Sequence, residues 1–189
     1  MVREMVRQGG RSARIQHAVH AATQALLAEV GREEINVPLI AERAGVTPST
    51  LYRRWGDLAQ LLADVAAERL RPVAEPDETG SLDGDLRAFV LQYAEEMSCE
   101  AGRGLLCDVL AETSSEAAAA RCCQYTVNHL TTLKARARVR GEPDFDVDEA
   151  IDLLIAPICY HILFSDRELS PPYVLSLLAR FASLRGART

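Results

Sequence analysis

The chain has 189 residues, 48% hydrophobic and 25% charged, with a net charge of −6. That balance excludes a disordered chain and allows one large domain or a small domain joined to a larger one, either with a sizeable core. The most apolar stretch, IDLLIAPICYHILF from residue 151, is too short to span a bilayer and carries Asp152 and His161.

The pattern is helical nearly throughout. Ile15, Val19, Ala22, Leu26 and Val30 recur at three- and four-residue steps and predict a helix over 12–30, stopped by Gly31. Asn36 is a good N-cap for a helix over 37–44, with Ile35 placed to staple onto Ile40. Gly45 breaks it. Thr47 then caps a third helix, Pro48 takes its first position and Val46 can staple onto Leu51. Two capped helices joined by AGVT make a helix-turn-helix. Asp57 caps a fourth helix carrying Leu58, Leu61, Leu62, Val65 and Leu70, which fades into the loop RPVAEPDETGSLDG. We place a domain boundary near this helix, with 1–56 as one module and 57–189 as another, the fourth helix being able to bridge both.

Leu86, Phe89, Val90, Tyr93 and Met97 share one face of a helix over 82–100, which Gly102 and Gly104 are expected to interrupt. A short helix over 105–113 and a long one over 115–140 follow, the latter ended by Gly141. Asp146 caps a helix over 147–164 that contains Pro157. Its Ile151, Leu154, Ile155, Ile158, Ile162 and Leu163 cover more than one face, so it must be buried on two sides. A second subunit is the expected cover, completed by a last helix over 173–184 with Val174, Leu177, Leu178, Phe181 and Leu184.

Charge is unevenly placed. Eight arginines and five glutamates give residues 1–56 a charge of +3, leaving −9 for the rest. A basic end on an acidic body suits a small DNA-binding module attached to a different kind of domain. The N-terminal MVREMVRQGGRSARIQ is charged and lacks an apolar run, so no secretory signal is expected and a cytoplasmic protein is. Cys99, Cys107, Cys122, Cys123 and Cys159 form no CxxC pair or Cys/His cluster at zinc spacing, so neither a metal nor another cofactor is expected. They read as small buried thiols. No nucleophile elbow or phosphate-cradling glycine loop points to an enzyme.

INVPLIAERAGVTPSTLYRRW closely resembles the helix-turn-helix of TetR (tetracycline-repressor) family transcriptional regulators, through Ile40, Ala41, Ala44, Gly45, Val46, Thr47, Thr50, Leu51, Tyr52 and the aromatic Trp55. The resemblance covers roughly the first third of the chain. It implies an all-α protein with an N-terminal three-helix DNA-binding domain and a C-terminal helical ligand-binding and dimerisation domain. It further implies a homodimer through the last two helices (about 147–185), a palindromic double-stranded DNA operator, and release by a small-molecule effector; repression is the expected mode. The chain departs from the family at Leu58, where a phosphate-binding lysine is usual.

On this reading Leu51 and Trp55 face inward, while Ser49, Tyr52 and Arg53 lie near one another on the outer side. Arg53 or Ser49 is the candidate base reader, because arginine can bond guanine O6 and N7 together. Tyr52, Thr47, Thr50 and Arg54 are candidates for phosphate, and Val37 and Pro48 at the helix starts complete the set. Arg14, with Arg11 and an arm holding Arg7, can follow phosphates or enter a minor groove, or belong to a solubilising tail. Tyr93, Met97, Tyr125, Asn128, His129, Tyr160 and His161 are candidate ligand contacts by location and chemistry, for an apolar or aromatic compound. Thiol oxidation at Cys107, Cys122 or Cys123 is the alternative signal. A helical enzyme and a dimerising adaptor are the competing classes, and the adaptor leaves Thr47 to Trp55 unexplained.

Overall fold

A computed structural model describes residues 8–111, 116–165 and 168–186. Among the described residues there are helices and no strand. Four helices form the N-terminal part: α1 (Gln8–Glu29), α2 (Val37–Ala44), α3 (Pro48–Trp55) and α4 (Leu58–Arg69), with a 3-10 turn at Arg32–Glu34 that the periodicity does not announce. Asn36 accepts from the Leu39 amide at 3.0 Å and Asp57 from the Gln60 amide at 2.8 Å, so both capping expectations hold. Gly45 turns left-handed at φ 66°, and the Val46 amide reaches back to the Ala41 carbonyl at 2.9 Å. Thr47 is the N-cap residue of α3 by position only. Its hydroxyl bonds the Ser49 and Thr50 hydroxyls, at 2.9 and 3.0 Å, instead of a first-turn amide.

The remainder consists of α5 (Leu82–Ser98), α6 (Glu100–Leu110), α7 (Glu116–Val139), α8 (Val147–Ala150), α9 (Ala156–Phe164) and α10 (Pro171–Gly186). Gly102 and Gly104 lie inside α6 instead of interrupting it. The reason is packing: a Cβ at Gly102 would overlap the Glu96 carbonyl oxygen and sit 2.8 Å from Met97 Cα, so glycine lets α6 double back closely on α5. The helix expected over 147–164 is divided into α8, a π turn at Ile151–Ile155 and α9. Pro157 brings no amide and its ring clashes with a carbonyl four residues back, which the wider turn relieves; the Ala156 amide bonds Ile151 O. α10 begins at Pro171, ahead of the expected 173, since first-turn prolines give up no helical bond.

Three apolar clusters hold these elements. The first joins Val19, Leu26, Ile35, Ile40, Leu51 and Trp55 to Leu61 and Val65 of α4. The second, of Leu86, Phe89, Leu130, Leu154, Ile158 and Phe181 among others, binds α5, α7, α9 and α10. Between them Ala63, Ala66 and Ala67 of α4 pack on Val109 of α6 and Ala118 of α7. Because one face of α4 is apolar and bulky and the other is alanine, it belongs to the first cluster and to the third, which joins it to α6 and α7. Any motion of α6 or α7 therefore reaches α4 directly.

Candidate nucleic-acid interface and ligand cavity

α3 is amphipathic in the sense its sequence requires. Leu51 and Trp55, four apart, are buried, while Ser49, Tyr52, Arg53 and Arg54 are exposed. Tyr52 keeps 52% of its surface open. Arg53 makes no hydrogen bond or ion pair among the described residues and stands four positions after Ser49, on the same face. Thr47, Ser49 and Thr50 form the hydroxyl cluster at the helix start, with Pro48 exposed between them.

Other expected contacts are placed differently. Arg54 reaches back to α1, donating to the Ser12 carbonyl and hydroxyl at 3.1 and 2.8 Å and to Gln16 Oε1 at 2.8 Å, with its guanidinium stacked over Trp55. It acts as a strut between α3 and α1. Val37 is 5% exposed within the first core, so its side chain cannot touch DNA, and only its amide, the first of α2, is available. Arg14 is exposed on α1 and bonds its own helix at the Gly10 carbonyl, 3.3 Å away. Arg7 and the side chain of Arg11 lie outside the described residues. Arg43 is held by Glu29 through two bonds of 2.8 and 2.6 Å. Leu58 packs its side chain on the first core.

Beneath this face lies Asp64, a residue the sequence reading did not single out. Its Oδ2 accepts from Trp55 Nε1 at 2.8 Å and lies 2.8 Å from His20 Nε2, and its Oδ1 accepts from Arg121 at 2.6 Å. Burial would raise the carboxyl; the donors His20, Trp55 and Arg121 outweigh it and hold Asp64 well below the usual carboxylate range. One carboxylate thus ties α1, α3 and α7 to α4. A second strut pairs Arg32, in the turn after α1, with Asp108 of α6. An acid among the leucines and alanines of LAQLLADVAAER was visible in the sequence, but the distant partners that make it a node were not.

α5, α6 and α7, with the end of α4 and the loop 70–77 that follows it, also line a cavity of about 460 Å³. Tyr93, Met97, Tyr125 and His129 line it as expected, together with Phe89, Leu105, Leu106, Cys122 and Thr126, which were not anticipated because apolar helix faces look alike in sequence. Asn128, Tyr160 and His161 do not line it. Asn128 is exposed and accepts from Gln124 at 2.9 Å, one turn earlier on α7. Tyr160 is 58% exposed on α9 and stacks against His161 and Phe164, and His161 meets Tyr173 edge-on at 5.2 Å. The tyrosine phenol of residue 93 bonds Cys159 Sγ at 3.2 Å. All five cysteines are free, and contrary to the expectation of buried thiols Cys99, Cys107 and Cys123 are exposed while Cys122 and Cys159 are half-buried. Burial pushes the Cys122 thiol up to about 11, with Cys123 adding to the shift. No cluster of three His, Cys, Asp or Glu able to hold a metal occurs among the described residues. No helix among them is long and apolar enough to cross a membrane.

Comparison with known proteins agrees with this geometry. Residues 20–65 match the family model described as bacterial regulatory proteins, tetR family. Residues 75–181 match the tetracyclin repressor-like C-terminal domain. The chain is 30% identical over 171 residues to the Bacillus subtilis HTH-type transcriptional regulator YdeS, covering 85% of this chain and 84% of that one. It is 27% identical over 155 residues to the HTH-type transcriptional regulator AqdR of Rhodococcus erythropolis, covering 80% and 75%. Among solved structures, a TetR-family regulator from Mesorhizobium loti superposes with a TM-score of 0.67 at 16% identity, over 92% of this chain and 98% of that one. A TetR regulator from Rhodococcus sp. RHA1 gives 0.57 at 16% identity, over 95% and 99%. With both of its parts matched, the chain belongs to the TetR family of DNA-binding transcriptional regulators, which are not enzymes.

Proposed function

We propose that this regulator is a repressor that binds a palindromic operator as a homodimer through α9 and α10 and leaves it when a small molecule enters the cavity. On this reading residues 1–56 read DNA and residues 57–189 sense and pair, within the cytoplasm. Arg53 and Ser49 contact base edges. Tyr52, Thr47, Thr50 and the Val37 and Ser49 amides at the starts of α2 and α3 take phosphates, and Arg14 follows the backbone.

The observation that carries the reading is the pair of struts between the N-terminal helices and the cavity wall, one of which holds Trp55 of α3. α7 lines the cavity with Cys122, Tyr125, Thr126 and His129, and its neighbouring Arg121 grips Asp64, which in turn holds Trp55 of α3. α6 lines it with Leu105 and Leu106 and pairs Asp108 with Arg32. A ligand that prefers a shifted α6 or α7 thereby prefers a different placement of α3, and such differential binding is what release requires. Of the three cysteines considered for a thiol-oxidation signal, Cys122 is kept protonated and so poorly nucleophilic by burial, which disfavours it as the sensor, while Cys107 and Cys123 are exposed.

Selection of bound duplexes from a random DNA pool tests the reading. A two-fold symmetric consensus with half-sites about one helical turn apart, or a multiple of it, is expected. An asymmetric single site removes the dimeric operator, and no enrichment removes sequence-specific binding.

A further inference from the structure

We propose that the cavity between α5, α6, α7 and the loop 70–77 selects an uncharged aromatic ligand and rejects both anions and cations. The inference rests on the reading of residues 57–189 as the sensing part and specifies the chemistry of that site.

Interior and rim of the cavity differ in kind. The interior is formed by Phe89, Tyr93, Met97, Leu105, Tyr125 and His129, all buried or half-buried. Phe89 organises these rings, with Tyr93 tilted at 6.2 Å and His129 edge-on at 5.5 Å. Edge-to-face walls of this kind favour a further aromatic ring, and the sulfur of Met97 adds a polarisable contact. Polar functions inside are few: the Thr126 hydroxyl, the Tyr125 phenol, the His129 ring and Tyr93, whose own hydroxyl is engaged by Cys159. Burial raises the Tyr93 phenol above its ordinary range and Cys122 to about 11, so both stay neutral near neutral pH.

Every Arg, Asp and Glu that lines the cavity is exposed at the rim, namely Arg69, Arg71, Glu75, Asp77 and Glu96. Several are already engaged. Arg71 pairs with Glu68 at 3.3 Å, Glu75 with Arg136 at 3.9 Å, and Glu96 accepts from Gln92 at 2.8 Å. With three carboxylates against two guanidinium groups, the rim offers an anion no net attraction, and no Arg, Lys, Asp or Glu side chain lies within. A charged ligand would lose its water against apolar walls without replacement, a cost that contacts of this area do not offset. A neutral ring system bears no such cost and gains the buried area.

The test uses two probes that share a ring system, followed by fluorescence on the full-length protein without DNA. N-phenyl-1-naphthylamine is uncharged, and 8-anilinonaphthalene-1-sulfonate adds a sulfonate; ethidium serves as the aromatic cation. The neutral probe is expected to bind in a saturable manner at least about tenfold more tightly than either charged probe, tenfold corresponding to about 1.4 kcal/mol. Thr126→Trp, which fills the cavity from α7, and Leu105→Trp, which fills it from α6, should each weaken the neutral probe; either one suffices if the other does not fold. Equal or tighter binding of the sulfonate or of ethidium overturns the proposal. So does the absence of saturable binding by the neutral probe, or binding that a folded filled variant leaves unchanged. Operator selection is read separately, so a failure here leaves the DNA-binding reading standing, and a failure there leaves the probe ratio interpretable.

Discussion

Arg53 and Arg54 are adjacent in sequence and opposite in circumstance. Arg54 is consumed by Ser12 and Gln16 of α1, whereas Arg53 is exposed and uncommitted among the described residues. Arg53→Ala is therefore expected to weaken operator binding by about 1–3 kcal/mol and relax preference at one base position, without loss of thermal stability. A mobility-shift series on operators varied base by base checks both halves of that statement. Asp64 behaves in the reverse way, acting on stability. Its carboxyl is depressed in the folded chain, so its contribution is complete above the ordinary carboxylate range and fades only as pH falls through the folded value. Asp64→Asn should lower stability by roughly 1–3 kcal/mol at neutral pH, with the gap to the parent narrowing once pH drops below about 4. Urea unfolding can be followed through Trp55, the sole tryptophan, which donates to this carboxylate. A gap that stays constant to acid pH would show that the charge contributes nothing. The motif made the exposed side of α3 legible in advance. The node was not, because His20, Trp55 and Arg121 lie 44, 9 and 57 residues away and no local pattern announces such a meeting.

Helix existence was legible in nearly every case because the apolar stripes repeat at helical spacing and the starts of α2, α3, α4, α5 and α8 carry Asn36, Thr47, Asp57, Ser81 and Asp146. What escaped were places where tertiary packing overrides local preference. Gly102 and Gly104 read as breakers, yet both are helical in α6, and they are not equivalent. A methyl group at Gly102 would strike the backbone of α5, while nothing lies within 4 Å of the corresponding position at Gly104. Gly102→Ala should thus cost about 1–3 kcal/mol through overpacking, and Gly104→Ala should gain roughly 0.5–1 kcal/mol from helix propensity alone. Differential scanning calorimetry of the two variants would show melting temperatures moving in opposite directions; parallel shifts would mean that the α5–α6 approach is looser than the geometry indicates. The same limit applies to the π turn at Ile151–Ile155, since a proline in an apolar run signals a disturbance without saying whether a kink, a break or a wider turn absorbs it.

At the scale of the whole molecule, α9 and α10 bury Ile158, Ile162, Val174, Leu177 and Phe181 inward, and the outer side of this pair still presents Tyr160, Phe164 and Leu184 at 58, 73 and 47% exposure. The residues that make the run 147–164 apolar on more than one face, Leu154, Ile155, Ile158 and Ile162, are buried within the protomer, with Ile151 and Leu163 half-buried, so the exposed apolar surface falls on Tyr160 and Phe164 instead. Covering a side chain of this size in a second subunit gains about 1.5–3 kcal/mol if its burial becomes complete, so three of them dominate a pairing surface. Placing a carboxylate on such a surface both removes that gain and buries a charge with no partner. Phe164→Glu is accordingly expected to raise the dimer dissociation constant by about 100-fold or more, which sedimentation velocity reads directly. Thermal unfolding at low concentration should change little, because Phe164 lies outside the buried core of the protomer. Two reading helices bind two half-sites only when the subunits are held together, so the same variant should lose affinity for a full palindrome while keeping its weak binding to an isolated half-site. A variant that remains dimeric at micromolar concentration would move the pairing surface away from α9, and one that is monomeric yet binds the full site undiminished would detach operator recognition from dimerisation.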